Sequence, residues 1–186
     1  MGRIIFDTAT TFNGWIADEE NSLGWLFAVP GGEAPEPGLE PPEAPVMIMG
    51  STTYRWVLEQ ENVIDEPARW TEAFGDRLVV VFTTADLPAP EGAQVIFTSG
   101  DVSVSLPWIQ EAAGEEDIWI VGGGDLAAQF ADAGALDEIR LSVAPVALAG
   151  GSPLFPRRLD SSRLRLKEAF AVGQFARLIY AVESGA

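Results

Sequence analysis

The sequence of 186 residues contains no cysteine and no histidine. Without cysteine there is no disulfide, no thiol nucleophile and no thiolate ligand for a metal, and this composition fits a cytoplasmic protein. Without histidine the chain lacks the side chain that most often moves protons near neutral pH, so a Ser-His-Asp triad is excluded and no metal site is predicted. Acid–base chemistry is left to carboxylates, tyrosine, lysine or ordered water.

Basic residues are scarce: 11 Lys and Arg stand against 28 Asp and Glu, which gives a formal net charge of −17. Nucleic acids and anionic membranes are bound by clustered cations, so we expect neither as a partner. No apolar run approaches the roughly 20 residues that span a bilayer. The start of the chain shows no charged region followed by an apolar region and a cleavage site, so no signal peptide is predicted.

Short apolar runs alternate with helical patterns along the whole chain, which predicts one domain over residues 1–186. This alternation predicts an α/β fold with three layers and a mainly parallel central sheet of about eight strands. A short turn at Gly173–Gln174 separates the last two strands and predicts a C-terminal antiparallel hairpin. The predicted strands are residues 3–10, 46–50, 77–84, 93–99, 117–122, 138–148, 165–172 and 176–184. The predicted helices are residues 51–61, 67–75, 105–114 and 125–134.

Residues 29–45 break the pattern, because proline, glycine and glutamate dominate them. Proline and glycine at this density exclude a regular helix or a central strand. We expect a mobile surface loop.

Three glycines, Gly122, Gly123 and Gly124, stand between a buried strand and a helix in "IWIVGGGDLAAQF". Exposed N–H groups at a helix N-terminus suit a phosphate, but glycines also permit close packing or a positive φ, and this motif leaves both readings open. Asp125 is interpreted as the N-cap of the helix, at a place where its charge would also repel a phosphate.

The segment "VMIMGSTTYRWV" repeats this design, with Gly50 between a strand and a helix and with Ser51 or Thr52 as the expected N-cap. Hydroxyls also follow the strand "VVVF", at Thr83 and Thr84. Parallel strands carry such junctions to one edge of the sheet, where open α/β sheets bind ligands.

The order of these motifs resembles the dihydrofolate reductase fold: a first strand, a loop ending in "ENSLGW", then "MIMGSTTY", "VFTT" and "IWIVGGGDLAAQF". The later stretch "AGALDEIRLSVAPVALAGGSPLF" is more similar to the C-terminal reductase domain of bifunctional riboflavin-biosynthesis enzymes, the RibD C-terminal domain. The resemblance covers nearly the whole chain. It implies a reductase that uses NADPH, or NADH, to transfer a hydride to a small heterocyclic substrate, pteridine-like or pyrimidine-like.

The resemblance also implies roles for individual residues. The glycines and the hydroxyls of Thr52 and Thr53 would hold the pyrophosphate, and Thr83 and Thr84 would lie towards the adenosine ribose. Asn21–Trp25 would form a lid that excludes water. The implied cofactor-binding residues are Ala9, Ile16, Gly50, Ser51, Thr52, Thr53, Thr83, Thr84, Val121, Gly122, Gly123, Gly124, Asp125 and Leu126. The implied substrate-binding residues are Phe12, Leu23, Trp25, Phe27 and Trp56.

The chain departs from both families at residues that matter for catalysis. It has no carboxylate in "LFAVPGG", where dihydrofolate reductases carry an acid, and Gly122 stands where the riboflavin-pathway reductases carry glutamate. Ser51 and Asp125 occupy places where an arginine often meets the 2′-phosphate of NADPH. Asp7 is the candidate replacement acid, because it lies two residues before Ala9 on the same face of the first strand.

Two functions of different kinds follow. The favoured one is an NAD(P)H-dependent reductase, with Asp7 as its catalytic residue and a homodimer implied by the riboflavin-pathway relatives. The alternative is a non-catalytic member of the same fold that binds a dinucleotide or another ligand, which the missing acids and Asp125 would explain.

Overall fold

A computed structural model describes residues 1–34 and 36–183 of the chain. The strands are β1 (Ile4–Thr11), β2 (Trp15–Ala17), β3 (Val46–Gly50), β4 (Leu78–Phe82), β5 (Val95–Thr98), β6 (Ile118–Gly122), β7 (Glu138–Ala144), β8 (Ser152–Pro153), β9 (Leu164–Val172) and β10 (Phe175–Val182). The helices are α1 (Gly24–Phe27), α2 (Ser51–Gln60), α3 (Ala68–Phe74), α4 (Val102–Ala113) and α5 (Gly124–Asp132).

Eight strands form one sheet in the order β5-β4-β3-β6-β1-β7-β10-β9. The pairs from β5 to β7 are parallel, and β10 is antiparallel to both β7 and β9. The predicted fold class and the predicted C-terminal hairpin are therefore confirmed. A separate two-stranded sheet joins β2 to β8, and its two-residue and three-residue strands are too short to leave a periodic pattern in the sequence.

Helices cover both faces of the parallel part of the sheet. Alternating residues of β3 show the division, because Val46 and Ile48 pack with α4 and α5 while Met47 and Met49 pack with α2 and α3. Phe130 of α5 is fully buried, and burial of an apolar side chain of this size stabilises the fold by about 1.5–3 kcal/mol. By contrast, β9 is an edge strand whose inner residues are exposed on both faces.

The proline-rich loop behaves differently from the expected surface segment. Its described residues form no helix or strand between α1 and β3, as predicted. Val29 and Leu39 are nevertheless buried, because they pack with Trp25 of α1 in a small apolar cluster. Pro35 of this loop and Ser184, the predicted end of the last strand, lie outside the described residues. Among the residues that are described, no helix is long and apolar enough to cross a membrane.

Candidate functional site

The carboxyl ends of the central parallel strands open onto a cleft of about 660 Å³. It lies where β3, β4 and β6 end and where α2 and α5 begin, the edge at which open α/β sheets bind ligands. The residues predicted from the sequence that line it are Asp7, Ala9, Ile16, Leu23, Trp25, Gly50, Ser51, Thr52, Thr53, Trp56, Thr83, Thr84, Val121, Gly122, Gly123, Gly124, Asp125 and Leu126. The structure thus brings together nearly all of the predicted site.

Gly50 forms the junction between β3 and α2 and is itself the N-cap residue of α2. The predicted N-cap, Ser51 or Thr52, was wrong, because the helix begins one residue earlier than that reading requires. Gly50 has no side chain with which to cap the first turn of α2, and no such hydrogen bond is made at this end within residues 1–34 and 36–183. The first N–H groups of a helix have no acceptor inside it, so this end can receive a negative group from the cleft.

The neighbouring junction, between β6 and α5, also has a glycine as the N-cap residue of its helix. Gly123 is the N-cap residue of α5, again without a side-chain hydrogen bond, so the interpretation of Asp125 as the cap was wrong. The two junctions touch, because a Cβ built on Gly50 would lie 3.7 Å from the amide nitrogen of Gly123. A register shift between β3 and β6 pairs Met49 with Gly122 and leaves Val121 out, which sets the direction in which β6 enters α5.

The three glycines have three different surroundings. A Cβ on Gly124 would overlap the carbonyl oxygens of Pro153 and Leu154, so this glycine permits a close backbone packing. A Cβ on Gly122 would lie 3.1 Å from the hydroxyl of Thr53. A Cβ on Gly123 would meet nothing within 4 Å. The packing reading is therefore confirmed at Gly124, and phosphate binding at the open backbone of Gly123 stays a prediction. The peptide bond between Gly122 and Gly123 is cis.

Asp125 lies in the first turn of α5, where its carboxylate is held by two side chains. One oxygen accepts a hydrogen bond from Arg157 at 2.8 Å, and the other accepts one from Gln129 at 2.8 Å. The hydrogen bonds from Arg157 and then Gln129 hold the pKa of Asp125 below its ordinary value. Arg157 also approaches Asp132 at 3.3 Å. The cation that accompanies Asp125 is thus Arg157.

Asp7 lies in β1 and forms a buried ion pair with Arg177 of β10. Two nitrogens of the Arg177 guanidinium donate to the two carboxylate oxygens, at 2.8 and 2.6 Å, and one of these nitrogens also donates to the hydroxyl of Ser142 at 3.0 Å. The side chains of Asp7 and Arg177 are only 6% and 3% exposed. Burial raises the pKa of Asp7 above its ordinary value, and the hydrogen bonds and charge of Arg177 oppose that rise without cancelling it.

Hydroxyl groups follow the next strands along the edge of the sheet. Thr83 and Thr84 come directly after β4 and line the cleft together with Ser99, which follows β5. The hydroxyl of Thr83 accepts a hydrogen bond from the amide of Ala85 at 3.0 Å and keeps its own proton available for another partner.

The predicted lid segment also borders the cleft. Asn21, Leu23 and Trp25 line it, and the indole nitrogen of Trp25 is buried without a hydrogen-bond partner in the described part of the chain. Two predicted substrate residues do not line the cleft. Phe12 has 68% of its surface exposed, and Phe27 stacks on Trp56 with ring centroids 6.2 Å apart.

Several lining residues were missed from the sequence. Trp119 could have been found from the alternation of β6, since it lies two residues before Val121 on the same side, and its indole nitrogen donates to the carbonyl of Asp7 at 3.1 Å. Arg177 does not line the cleft but pairs with Asp7, which does; it carried the signal of a lone charge in an apolar strand, and nothing in the sequence connects it to Asp7. The remaining missed residues are Thr8, Ala17, Leu26, Val57, Phe82, Ser99, Gly100, Gln129, Ser152, Pro153 and Pro156.

The strand order, the two glycine junctions and the cleft between them define an α/β protein of the dihydrofolate-reductase-like fold class. The family described as the RibD C-terminal domain matches residues 4–176, and the chain belongs to that family. This family resembles the reductase domains of riboflavin biosynthesis, so the chain has a reductase-type domain.

Individual relatives agree with this assignment. The uncharacterised Bacillus subtilis protein YwjB is 28% identical over 180 residues, which cover 96% of this chain and 97% of YwjB. A Shewanella sp. PV-4 structure named for riboflavin biosynthesis superposes with a TM-score of 0.75 at 25% identity and covers 98% of this chain and 99% of that one. The Thermotoga maritima diaminohydroxyphosphoribosylaminopyrimidine deaminase/5-amino-6-(5-phosphoribosylamino)uracil reductase shares the fold, with a TM-score of 0.64 at 13% identity over 97% of this chain and 56% of that one.

Proposed function

We propose that the protein is a nicotinamide-dependent reductase that acts on a small heterocyclic substrate, pteridine-like or pyrimidine-like. The observation that carries the proposal is the pair of adjoining helix N-termini, of α2 and α5, which lack capping side chains and open onto the same cleft. Uncapped N–H groups at two helix ends suit a group with two phosphates.

The residues present fit such a group. The space over Gly123 is open, and a side chain at that position would fill it. Thr52 and Thr53 line the cleft beside this space and would supply hydroxyl donors to a pyrophosphate. Thr83 and Thr84 would lie towards the adenosine ribose, and Ala9 and Ile16 would border the nicotinamide.

When bound, a reduced nicotinamide supplies the hydride, and the protein supplies orientation and a dry setting. Trp25, Trp56 and Trp119 line the cleft and offer flat apolar surfaces on which a heterocycle can stack. The lid segment would exclude water from the reacting atoms.

Asp7 is our candidate for the proton donor. Its carboxyl lines the cleft and is buried, and burial raises its pKa. Both oxygens accept hydrogen bonds from Arg177, so Asp7 must take up a proton and give up one of these hydrogen bonds before it can act as an acid. If Asp7 donates the proton, turnover falls as pH rises through its pKa in the folded protein, because the acid form is lost. An Asp7→Asn variant would lose this dependence on pH, and a variant that kept it would exclude Asp7 as the donor.

The test of the function is a titration of the purified protein with each reduced dinucleotide, followed by an assay for its oxidation with a panel of pteridines and aminopyrimidines. Binding with turnover of any member supports the reductase. Binding without turnover favours the alternative, a member of the fold that binds a dinucleotide and is not an enzyme. A flat titration with both dinucleotides contradicts the proposal. The homodimer stays a prediction, which sedimentation of the protein would check.

A further inference from the structure

We propose that this cleft selects NADH over NADPH, with Asp125 as the residue that determines the preference. The inference rests on the proposed function, and it concerns the charge that surrounds the bound cofactor. NADPH differs from NADH by one phosphate on the adenosine ribose, a group that carries between one and two negative charges near neutral pH. Proteins that prefer NADPH usually meet this phosphate with an arginine, whereas an acidic residue suits the free ribose hydroxyl of NADH.

The lining of the cleft has no cation. Among the described residues that line it, the charged ones are Asp7 and Asp125, and neither lysine nor arginine is present. A phosphate in this cleft would rely on backbone N–H groups and hydroxyls alone. The uncapped ends of α2 and α5 provide such donors for the pyrophosphate that both cofactors share. An additional phosphate on the ribose would have no comparable partner.

Arg157 is the cation in contact with the rim of this cleft, and carboxylates already hold it. Its guanidinium contacts Asp125 at 2.8 Å and Asp132 at 3.3 Å. Gln129 binds the second oxygen of Asp125 and fixes the carboxylate in place. Two carboxylates on one guanidinium leave a local net negative charge, so Arg157 does not act as a free phosphate ligand.

The surface beyond the cleft is acidic as well. A neighbouring hollow of about 420 Å³ shares Gly100 and Gln129 with the cleft, and its lining includes Asp101 and Asp132. A cofactor that extended past the hydroxyl row of Thr83 and Thr84 would meet these carboxylates. The hydroxyls themselves are neutral and suit the diol of an unmodified ribose.

The test is a fluorescence titration of the intact protein with NADH and with NADPH. The readout is the quenching of tryptophan emission, because Trp25, Trp56 and Trp119 line the cleft. We expect NADH to bind at least about 10-fold more tightly than NADPH at low salt. The ratio should narrow as the salt concentration rises, since ions screen the repulsion between exposed charges.

Asp125→Asn tests the assigned residue. It removes the charge and releases Arg157 from one of its two carboxylates while nearly keeping the size of the side chain. We expect the dissociation constant for NADPH to fall by about 10-fold and that for NADH to change by less than about 3-fold. Glu72→Gln is the matched control, because it removes one exposed negative charge on α3, outside the cleft lining, and should leave the ratio unchanged.

The outcomes separate the two proposals. If NADPH binds as tightly as NADH or more tightly, the inference is overturned and the proposed function stands. If Asp125→Asn leaves the ratio of the two dissociation constants as it was, Asp125 is not the determinant. If neither cofactor binds, the proposed function fails and the inference fails with it.

Discussion

The two ends of the parallel sheet differ in how far their polar groups are hydrogen-bonded within the protein. At the amino ends of the strands, Glu138 is buried, and its carboxylate accepts hydrogen bonds from Arg140 at 2.6 Å, Lys167 at 2.8 Å and Arg3 at 3.2 Å. At the carboxyl ends, the helices α2 and α5 begin at glycine N-caps that provide no capping side chain. The protein satisfies its own polar groups at one end and leaves donors for a ligand at the other.

Two buried carboxylates that lie two residues apart in the register of β1 and β7, Asp7 and Glu138, have pKa values shifted in opposite directions. Burial works to raise the pKa of Glu138, but the hydrogen bonds from Lys167 and Arg140 and the charge of Arg3 outweigh it and leave the pKa below its ordinary value. For Asp7 burial is the stronger effect and the pKa is raised. The two carboxylates differ in the number of cations that donate hydrogen bonds to them, three for Glu138 and one for Asp7.

The largest expected effect comes from removing the partner of Asp7. Arg177→Met would leave a buried carboxylate unpaired, and we expect the free energy of unfolding at pH 7 to fall by about 3–5 kcal/mol. The loss should shrink as pH falls, because protonation of Asp7 removes the buried charge. Urea unfolding across a pH series measures both. The double variant Asp7→Asn, Arg177→Met should recover part of the loss, and a single variant that costs less than about 1 kcal/mol would show that the pair is not desolvated.

The next largest effect is expected from adding a side chain at Gly123, the glycine at the junction between β6 and α5. Gly123→Asp would place a capping carboxylate at the start of α5 in space that is empty, and we expect dinucleotide binding to weaken by about 100-fold, or about 2.7 kcal/mol. The thermal unfolding midpoint should stay within a few degrees of the parent. Gly123→Ser is the uncharged counterpart and should weaken binding by about 10-fold. Unchanged dinucleotide binding in both variants would contradict the proposal that a phosphate binds at this junction.

Glu138, at the amino ends of the strands, gives a prediction about how the free energy of unfolding depends on pH. Glu138→Gln should lower the free energy of unfolding at pH 7 by about 1–3 kcal/mol, since charged hydrogen bonds are lost. A carboxyl whose pKa is lowered by folding stabilises the protein above its unfolded pKa and loses that contribution as pH falls through the folded pKa. The difference between parent and variant should therefore vanish in acid. A difference that grows in acid would contradict this account of Glu138.

The smallest expected effect comes from a comparison of helix N-termini at the carboxyl edge of the sheet, where α4 is capped by a side chain and α2 and α5 are not. α4 also begins at the carboxyl edge, but Asp101 caps it by accepting a hydrogen bond from the amide of Ser103 at 2.8 Å. Asp101→Ala should lower the free energy of unfolding slightly, because the amide of Ser103 loses its acceptor, and should leave dinucleotide binding within about 2-fold of the parent. If binding changed as much as in the Gly123 variants, capped and uncapped helix ends would not differ in function.

Much of the fold could be predicted because its signals are local. Alternating apolar residues mark the strands, and glycine directly after an apolar run marks the junctions at Gly50 and Gly123. The predicted N-caps were wrong by one or two residues. The true caps are glycines, which have no side chain that marks a cap in the sequence, whereas Ser51 and Asp125 are residue types that commonly cap helices.

The rest of the site depends on contacts that the sequence does not encode locally. Arg177 reaches Asp7 across 170 positions of the chain, through a strand order that only the fold reveals. Phe12 and Phe27 were predicted to line the cleft because they are aromatic and near it in sequence, but residue type does not fix the direction of a side chain. The pairing of Arg157 with Asp125 also depends on the path of the segment after β8.

The contrast between Gly123 and Gly124 has a consequence for how the family varies. Gly124 is required by the backbone that packs against it, so selection for folding alone preserves it in every descendant that keeps this path of the chain. At Gly123 packing does not require glycine, since a Cβ there would meet no atom within 4 Å. If the cleft binds the proposed cofactor, a lineage that lost this binding would keep Gly124 and vary at Gly123, so a comparison of the two positions among relatives is a further test of the proposed function.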